Sequence, residues 1–281
     1  MYSREIVERD TLNYFNGDSL ATNVWIDKYC LKDKDGNLLE NTPDDMHKRM
    51  AREFARIEQK YPNPISQDEI YNLMKDFKYI SPGGSILYGL GNNHSISSLG
   101  NCFVIGNSAD SYGGIMQIDQ EQVQLMKRRA GVGHDISHLR SKHTPVSNSA
   151  GSSTGAVSFM PRFSNSTREV AQDGRRGALM LSININHPDA GEFIESKNDS
   201  TKITGANISV KINDKFMHAV DYDLGDNNMK LWRKIIHQAW KSAEPGVLFI
   251  DTIHRESPAA CYGKEWLETS TNPCGRHTCP K

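Results

Sequence analysis

The sequence predicts an α/β protein with a helical N-terminal lobe, and three observations carry the prediction. Over roughly the first 80 residues apolar side chains recur at helical spacing behind explicit helix-start signals. From Ser81 the texture changes, as Ser81-Pro82-Gly83-Gly84 breaks the helical pattern. Beyond it, short apolar runs alternate with helical segments, which is how parallel strands joined by crossover helices read.

Thr42-Pro43-Asp44-Asp45 offers an N-cap, a proline at the first helical position and two carboxylates where the helix dipole favours negative charge. Met46, Met50, Phe54 and Ile57 then place one apolar stripe on a helix ending before Tyr61-Pro62. Ser66-Gln67-Asp68-Glu69 has the form of a capping box, and Ile70, Leu73, Met74 and Phe77 continue it as a second amphipathic helix. Further on, Cys102–Ile105, Leu179–Ile185, Ile208–Ile212 and Val247–Ile250 are expected strands. Helices are expected at Ile115–Arg129, Val157–Val170, around Phe193 and Phe216, and at Leu231–Ala243. The expected division is a helical domain over residues 1–80 and an α/β domain over residues 81–281.

Composition narrows the function. In 281 residues, 33 Lys and Arg stand against 34 Asp and Glu, a formal net charge of −1, with 37% hydrophobic residues. That balance gives no general field for a nucleic-acid backbone and excludes a disordered chain. The opening MYSREIVERD lacks the apolar stretch of a signal peptide, and no run approaches the roughly 18 apolar residues of a membrane span. A cytoplasmic protein that binds neither nucleic acid nor membrane is expected. Its five cysteines, Cys30, Cys102, Cys261, Cys274 and Cys279, are an odd number widely spread, unlike a secreted disulfide framework.

Four clusters could carry chemistry. In Leu99-Gly100-Asn101-Cys102 the cysteine reads either as a buried apolar filler or as a redox thiol. Arg129-Ala130-Gly131-Val132-Gly133 lacks both the Lys-Ser/Thr of a Walker loop and the third glycine of a dinucleotide fingerprint, so a tight turn is expected there. Gln172-Asp173-Gly174-Arg175-Arg176-Gly177 sets two guanidiniums between glycines, where they either solvate a turn or grip a base or phosphate. In Asn272-Pro273-Cys274 the proline keeps Asn272 out of helix, so Asn272 and Cys274 are expected to project from one extended finger. Cys274, His277 and Cys279 are metal-ligand types, but with no second pair elsewhere they do not make a zinc motif.

The order of these pieces is more specific than any one of them. Ser98-Leu99-Gly100-Asn101-Cys102-Phe103-Val104, Asp110-Ser111, the Arg-Ala-Gly-Val-Gly run, the Gln-Asp-Gly-Arg-Arg-Gly loop and Asn-Pro-Cys-Gly together resemble the large catalytic subunit of ribonucleotide reductases. Tyr14-Phe15, Val24-Trp25 and Thr42-Pro43-Asp44-Asp45-Met46-His47 extend the resemblance over essentially the whole chain. It implies that the α/β region is the first part of a ten-stranded barrel, apparently truncated, because the family's chains run well beyond Lys281.

The resemblance also implies roles. Cys274 matches the finger-loop cysteine that becomes a thiyl radical and abstracts the ribose 3′ hydrogen, Asn272 the asparagine that hydrogen-bonds the ribose hydroxyls, and Cys102 one of two thiols that reduce the 2′ carbon. Ser85, Asn101 and Gly131 match substrate-contact positions. Asp110 and Arg140 match a specificity-effector site for a deoxynucleoside triphosphate, and Gln172 and Arg176 the loop joining effector to substrate. The implied partners are a ribonucleotide substrate, that effector, a thioredoxin-like reductant, a second copy of the chain, the C-terminal half of the catalytic chain, and a radical source. The last is either a metal-containing small subunit or adenosylcobalamin.

One departure is chemical. The family motif runs Asn-x-Cys-x-Glu, its glutamate taking the proton of the 3′ hydroxyl, but position 276 is Arg, which cannot accept a proton. The partner thiol of Cys102 is also missing from the motif set. The isolated chain is therefore expected to be inactive, and a non-catalytic nucleotide-binding or assembly module is the alternative.

Overall fold

A computed structural model describes residues 1–107, 109–170, 177–222 and 226–275. They form two compact units, one over Met1–Asn101 and one from Cys102 onward. Among the described residues no helix is long and apolar enough to cross a membrane.

The first unit is built from α1 (Arg4–Tyr14), α2 (Ser19–Lys28), α3 (Pro43–Glu58), α4 (Gln67–Met74) and the short α5 (Gly84–Gly89). The capping boxes at Thr42/Asp45 and Ser66/Glu69 form as their spacing requires. Met46 and Met50 of the α3 stripe are fully buried with Trp25, Ile26, Ala51 and Met74. Leu87 and Leu90 join this core, so residues 81–101 pack with the helices and the unit extends to Asn101. The expected continuation of α4 through Phe77 does not form. Asp76 and Phe77 both take φ +55°, breaking the helix into a single 3₁₀ turn, and Leu73 is exposed.

Arg49, on the buried side of α3, ties the unit together. Its Nε donates to Glu40 Oε1 at 2.7 Å, while its Nη atoms donate to the carbonyls of Leu87 and Leu90 at the end of α5. These are carbonyls that a helix terminus leaves without partners, and a buried guanidinium satisfies them.

The second unit alternates β1 (Cys102–Val104), α6 (Tyr112–Met126), β2 (Gly131–Asp135), α7 (Met160–Glu169), β3 (Leu179–Asn184), α8 (Ala190–Glu195), β4 (Asn207–Ile212), α9 (Asp214–Asp221), α10 (Asp226–Ser242), β5 (Gly246–Phe249) and α11 (Ile250–Glu256). Among the described residues the strands form one parallel sheet in chain order β1-β2-β3-β4-β5. The glycine-rich run expected to turn is strand β2. Its five residues are all buried, between Cys102–Val104 on one side and Leu179–Ser182 on the other.

Register sorts the side chains into two faces. Val132, Leu179, Leu181, Ile183, Ile208, Val210 and Ile212 fall on the face that packs with Phe163, Phe193 and Phe216 into the main core. The other face carries Cys102, Gly131, Gly133, Asp135, Ser182, Ser209 and Lys211. It is mostly small and polar, with Val104, Met180 and Leu248 as its apolar members, although Asp135, Ser182, Ser209 and Lys211 are all buried.

Candidate active site

What buries that polar face is the segment 268–274, which crosses the strands instead of pairing with them. Lys211 Nζ of β4 donates to the carbonyl of Thr269 at 2.8 Å. Ser182 Oγ of β3 lies 2.9 Å from Ser270 Oγ. Over β2, a side chain added at Gly133 would place its Cβ 1.8 Å from Thr271 O, and one at Gly131 would meet Pro273 Cγ at 2.6 Å. At β1, Cys102 Sγ lies 3.6 Å from Cys274 Sγ. The segment thus steps from β4 to β1 as the chain proceeds from Thr269 to Cys274. Two strand glycines make the passage possible, which is the close backbone approach that glycine within a strand signals.

The crossing is anchored by a buried charge pair. Asp135 Oδ1 lies 2.9 Å from Lys211 Nζ and accepts from Ser137 Oγ at 2.7 Å and Ser182 Oγ at 3.2 Å. Lys211 divides its donors between Asp135 and Thr269 O, so neither charge is buried without partners. At the segment's start, His254 Nε2 lies 2.8 Å from the carbonyl of Glu268, and Ser257 Oγ donates to the Glu268 carboxylate.

The finger is not extended throughout. After Asn272 it turns: Gly275 N donates to Asn272 O at 2.9 Å, Cys274 N donates to Asn272 Oδ1 at 3.0 Å, and Gly275 adopts φ +70°. The asparagine side chain folds over its own turn. Asn272 is buried, Cys102 is half-buried and Cys274 is exposed at the tip. The sequence-derived trio Cys102, Asn272 and Cys274 is therefore brought together. Gly131 stands beside it, with Pro273 filling the space above that glycine.

Ser85 and Asn101 belong to the helical unit. There Asn101 Oδ1 accepts from Ser85 N at 2.8 Å, and Ser85 Oγ is buried without a hydrogen-bond partner. Gln172 and Arg176 lie outside the described residues, as do His277 and Cys279, and among the described residues no three His, Cys, Asp or Glu side chains converge as a metal site.

Asp110 and Arg140 meet at a second location within the sheet unit. Arg140 Nε donates to Asp110 Oδ2 at 2.8 Å, its backbone N to Oδ1 at 3.1 Å, and an Nη to the Asp110 carbonyl at 3.1 Å. The pair lines a cavity of about 230 Å³ with Tyr112, Asn148, Thr154 and Phe159. The N-terminus of α6 opens beside it. Ser111 Oγ caps Gly114 N at 3.1 Å, and Gly114 fits only because a Cβ there would meet Ala109 O at 2.5 Å.

Asp135, Ser182, Lys211 and Ser270 were not legible as site residues. The available signal was the lysine in Asn207-Ile-Ser-Val-Lys-Ile, a charge inside an otherwise strand-like run.

Comparison with known proteins points one way. Residues 15–95 match the all-alpha domain of ribonucleotide reductase and residues 100–229 its barrel domain. A vitamin B12-dependent ribonucleoside-diphosphate reductase from Thermoplasma acidophilum is 30% identical over 91% of this chain and 42% of its own length. The enzyme of the same name from Mycobacterium tuberculosis is 29% identical over 91% of this chain and 38% of its own. A ribonucleoside-diphosphate reductase subunit alpha from Helicobacter pylori is 30% identical over 69% of the chain and 23% of its own length. The chain thus spans less than half of these relatives. The fold is shared with the Actinobacillus ureae class Id ribonucleotide reductase alpha subunit at a TM-score of 0.68 and 19% identity, over 83% of this chain and 42% of that one.

Proposed function

The chain belongs to the ribonucleotide reductase large-subunit family, and we propose that it carries the thiyl-radical half of the site that reduces ribonucleotides to deoxyribonucleotides. The observation that carries this reading is the 3.6 Å approach of Cys102 and Cys274 beside buried Asn272, on a finger braced across four strands.

In this reading the Cys274 thiol loses a hydrogen atom to a radical source and takes the 3′ hydrogen of the ribose. A sulfur radical can return that hydrogen at the end of the cycle. Asn272, its carbonyl oxygen fixed by Cys274 N, sits beside the ribose hydroxyls. Cys102 supplies one of the two electrons and protons that replace the 2′ hydroxyl as it leaves as water, and a second thiol from outside the described residues completes the disulfide. The Thermoplasma and Mycobacterium relatives are named as vitamin B12-dependent, which favours adenosylcobalamin as the radical source in this reading. A thioredoxin-like protein would then re-reduce the disulfide.

Asp110 and Arg140 support a separate role. A carboxylate and a guanidinium at the mouth of a cavity, beside a helix N-terminus, suit a deoxynucleoside triphosphate: hydroxyl to Asp110, phosphate to Arg140. In the family arrangement two copies of the chain form this site. Arg276, where the family has its general base, favours a second reading in which this 281-residue chain binds nucleotides without turning them over.

The test uses the chain complemented by the C-terminal part of a family member, with Arg276→Glu, adenosylcobalamin, a dithiol and ribonucleotide tritiated at C3′. Cys274→Ser should abolish both tritium release and product. Cys102→Ser should abolish product while tritium release persists. Undiminished turnover in either variant overturns the assignment.

A further inference from the structure

We propose that Cys102 and Cys274 are themselves a reversible redox pair, closing directly into an intramolecular disulfide when a hydroperoxide reaches the finger tip. This is a different bond from the one that nucleotide reduction requires, which joins Cys102 to a thiol outside the described residues. The inference rests on the geometry of the two thiols and stands whether or not the chain turns over nucleotides.

The approach of the thiols is built into the fold. Cys102 pairs in register with Gly131, and Pro273 packs on Gly131, so the residue after Pro273 arrives beside Cys102. The turn held by Asn272 presents Cys274 at 3.6 Å from the Cys102 sulfur. Exposure differs between the two and assigns the order of events: Cys274 is exposed, Cys102 half-buried.

The Cys274 thiolate attacks one oxygen of the hydroperoxide. The O–O bond breaks, an alcohol leaves with a proton from solvent, and Cys274 becomes a sulfenic acid. Cys102 sulfur then attacks Cys274 sulfur, the S–S bond forms, the S–O bond breaks, and water departs with the Cys102 proton. Two thiols lose two electrons and two protons, and the hydroperoxide is reduced to alcohol and water. Without Cys102 the sulfenic acid loses the thiol that stands 3.6 Å away and climbs to the irreversible sulfinic acid. The pair therefore parks the radical-carrying thiol in a form that a dithiol recovers.

The other described thiols differ. Cys30 is buried in the helical unit and burial pushes its thiol up to about 12, leaving it almost no thiolate. Cys261 is exposed, with its Sγ 3.0 Å from the carbonyl of Pro258.

Sequence distance makes the test decisive. Cys102 and Cys274 are 172 residues apart, whereas Cys261 and Cys274 are 13 apart. In an unfolded chain, loop closure favours the shorter pair by about 50-fold. The full 281-residue protein is treated with hydrogen peroxide, natively and in urea, quenched with an alkylating agent and digested with trypsin. Cys102, Cys261 and Cys274 fall in separate peptides, 79–127, 256–264 and 265–276. The expected native product joins 79–127 to 265–276, disappears with dithiothreitol, and is absent or minor in urea, where Cys274 pairs with Cys261 or Cys279. In Cys102→Ser the peptide 265–276 should instead carry a sulfinic acid. The proposal is overturned if the native protein gives the same distribution as the urea sample, or if native Cys274 reaches sulfinic acid at the same rate with and without Cys102.

Discussion

The carbonyl oxygen of Thr271 occupies the place where a side chain at Gly133 would begin, 1.8 Å from its would-be Cβ. Strand and finger are in contact backbone to backbone, and neither atom is the movable end of a side chain. Gly133→Ala should therefore displace the finger while leaving the sheet intact. Overpacking ordinarily costs about 1–3 kcal/mol, and a backbone obstacle places this change at the upper end or beyond. Gly113→Ala, at the start of α6 with nothing nearer than 3.9 Å, is the control and should leave stability unchanged or slightly raised. Urea melts and peroxide-driven Cys102–Cys274 coupling of both variants check this. Undisturbed coupling in Gly133→Ala would show that the two backbones are not so close.

Lys211 and Asp135 make a different kind of claim, because a buried pair is damaged most by losing one member. Lys211→Ala leaves the Asp135 carboxylate buried without its countercharge, held only by the Ser137 and Ser182 hydroxyls, and releases the Thr269 carbonyl, so a loss of about 3–5 kcal/mol is expected. Lys211→Met with Asp135→Asn removes both charges while keeping an acceptor for Ser137 and Ser182, and should recover a large part of that loss. Denaturant midpoints decide it. Equal destabilisation in single and double variants would mean the charge pair is not the anchor.

At the Asp110–Arg140 cavity, binding and stability separate cleanly. Each side chain is more than a third exposed, so the ion pair itself should contribute only about 0–1 kcal/mol. Asp110→Ala and Arg140→Ala should leave the melting temperature of the free protein nearly unchanged. A deoxynucleoside triphosphate should raise the wild-type melting temperature and fail to raise that of either variant. Calorimetry showing a folded wild-type protein without such a shift would remove the effector assignment.

Acid should weaken the protein through His134. This side chain is fully enclosed, its Nε2 3.2 Å from Gln122 Oε1, and burial lowers its pKa from the usual 6.5 to about 3. Gln122 Nε2 donates to Phe163 O and Thr167 Oγ1, so Gln122 offers His134 an acceptor and the imidazole is neutral with Nε2–H donating. Between pH 3 and 6.5 the unfolded chain binds a proton that the native state refuses. The contribution is thus fully present above about pH 6.5 and lost as pH falls, at about 1.4 kcal/mol per unit. The stability difference between wild type and His134→Gln, measured across that window, should shrink on acidification. A difference independent of pH would show that His134 is charged in the native state.

The readable parts of the fold were those written in local pattern. The N-cap at Thr42, the capping box at Ser66, the Met46/Met50 stripe and the four apolar strand runs depend on neighbours within a few residues, and they formed close to where expected. Gly131 and Gly133 were misread because their reason lies 140 residues away, in Thr271 and Pro273. Glycines that clear a path for another backbone look, in sequence, like glycines that turn. Lys211 and Asp135 were missed for a related reason: each is an isolated charge until the sheet sets them on one face. Cys102, Asn272 and Cys274 could be grouped from the sequence only because ordered motifs pointed to them, since no local spacing links residues 172 apart.

The transverse course of the finger has a kinetic side. Its contacts join residues separated by 58 positions at Lys211–Thr269, 88 at Ser182–Ser270 and 172 at Cys102–Cys274, whereas each strand pairs with its neighbour in chain order. Closing long loops costs entropy before any contact repays it, so the sheet is the early structure and the finger the late one. A refolding chain should pass through a stage with its strands paired and Cys274 still open to alkylation. The thiols are then brought face to face only after the strands have paired, and a ribosome must have released every residue through Cys274 before the two ends of the site can meet.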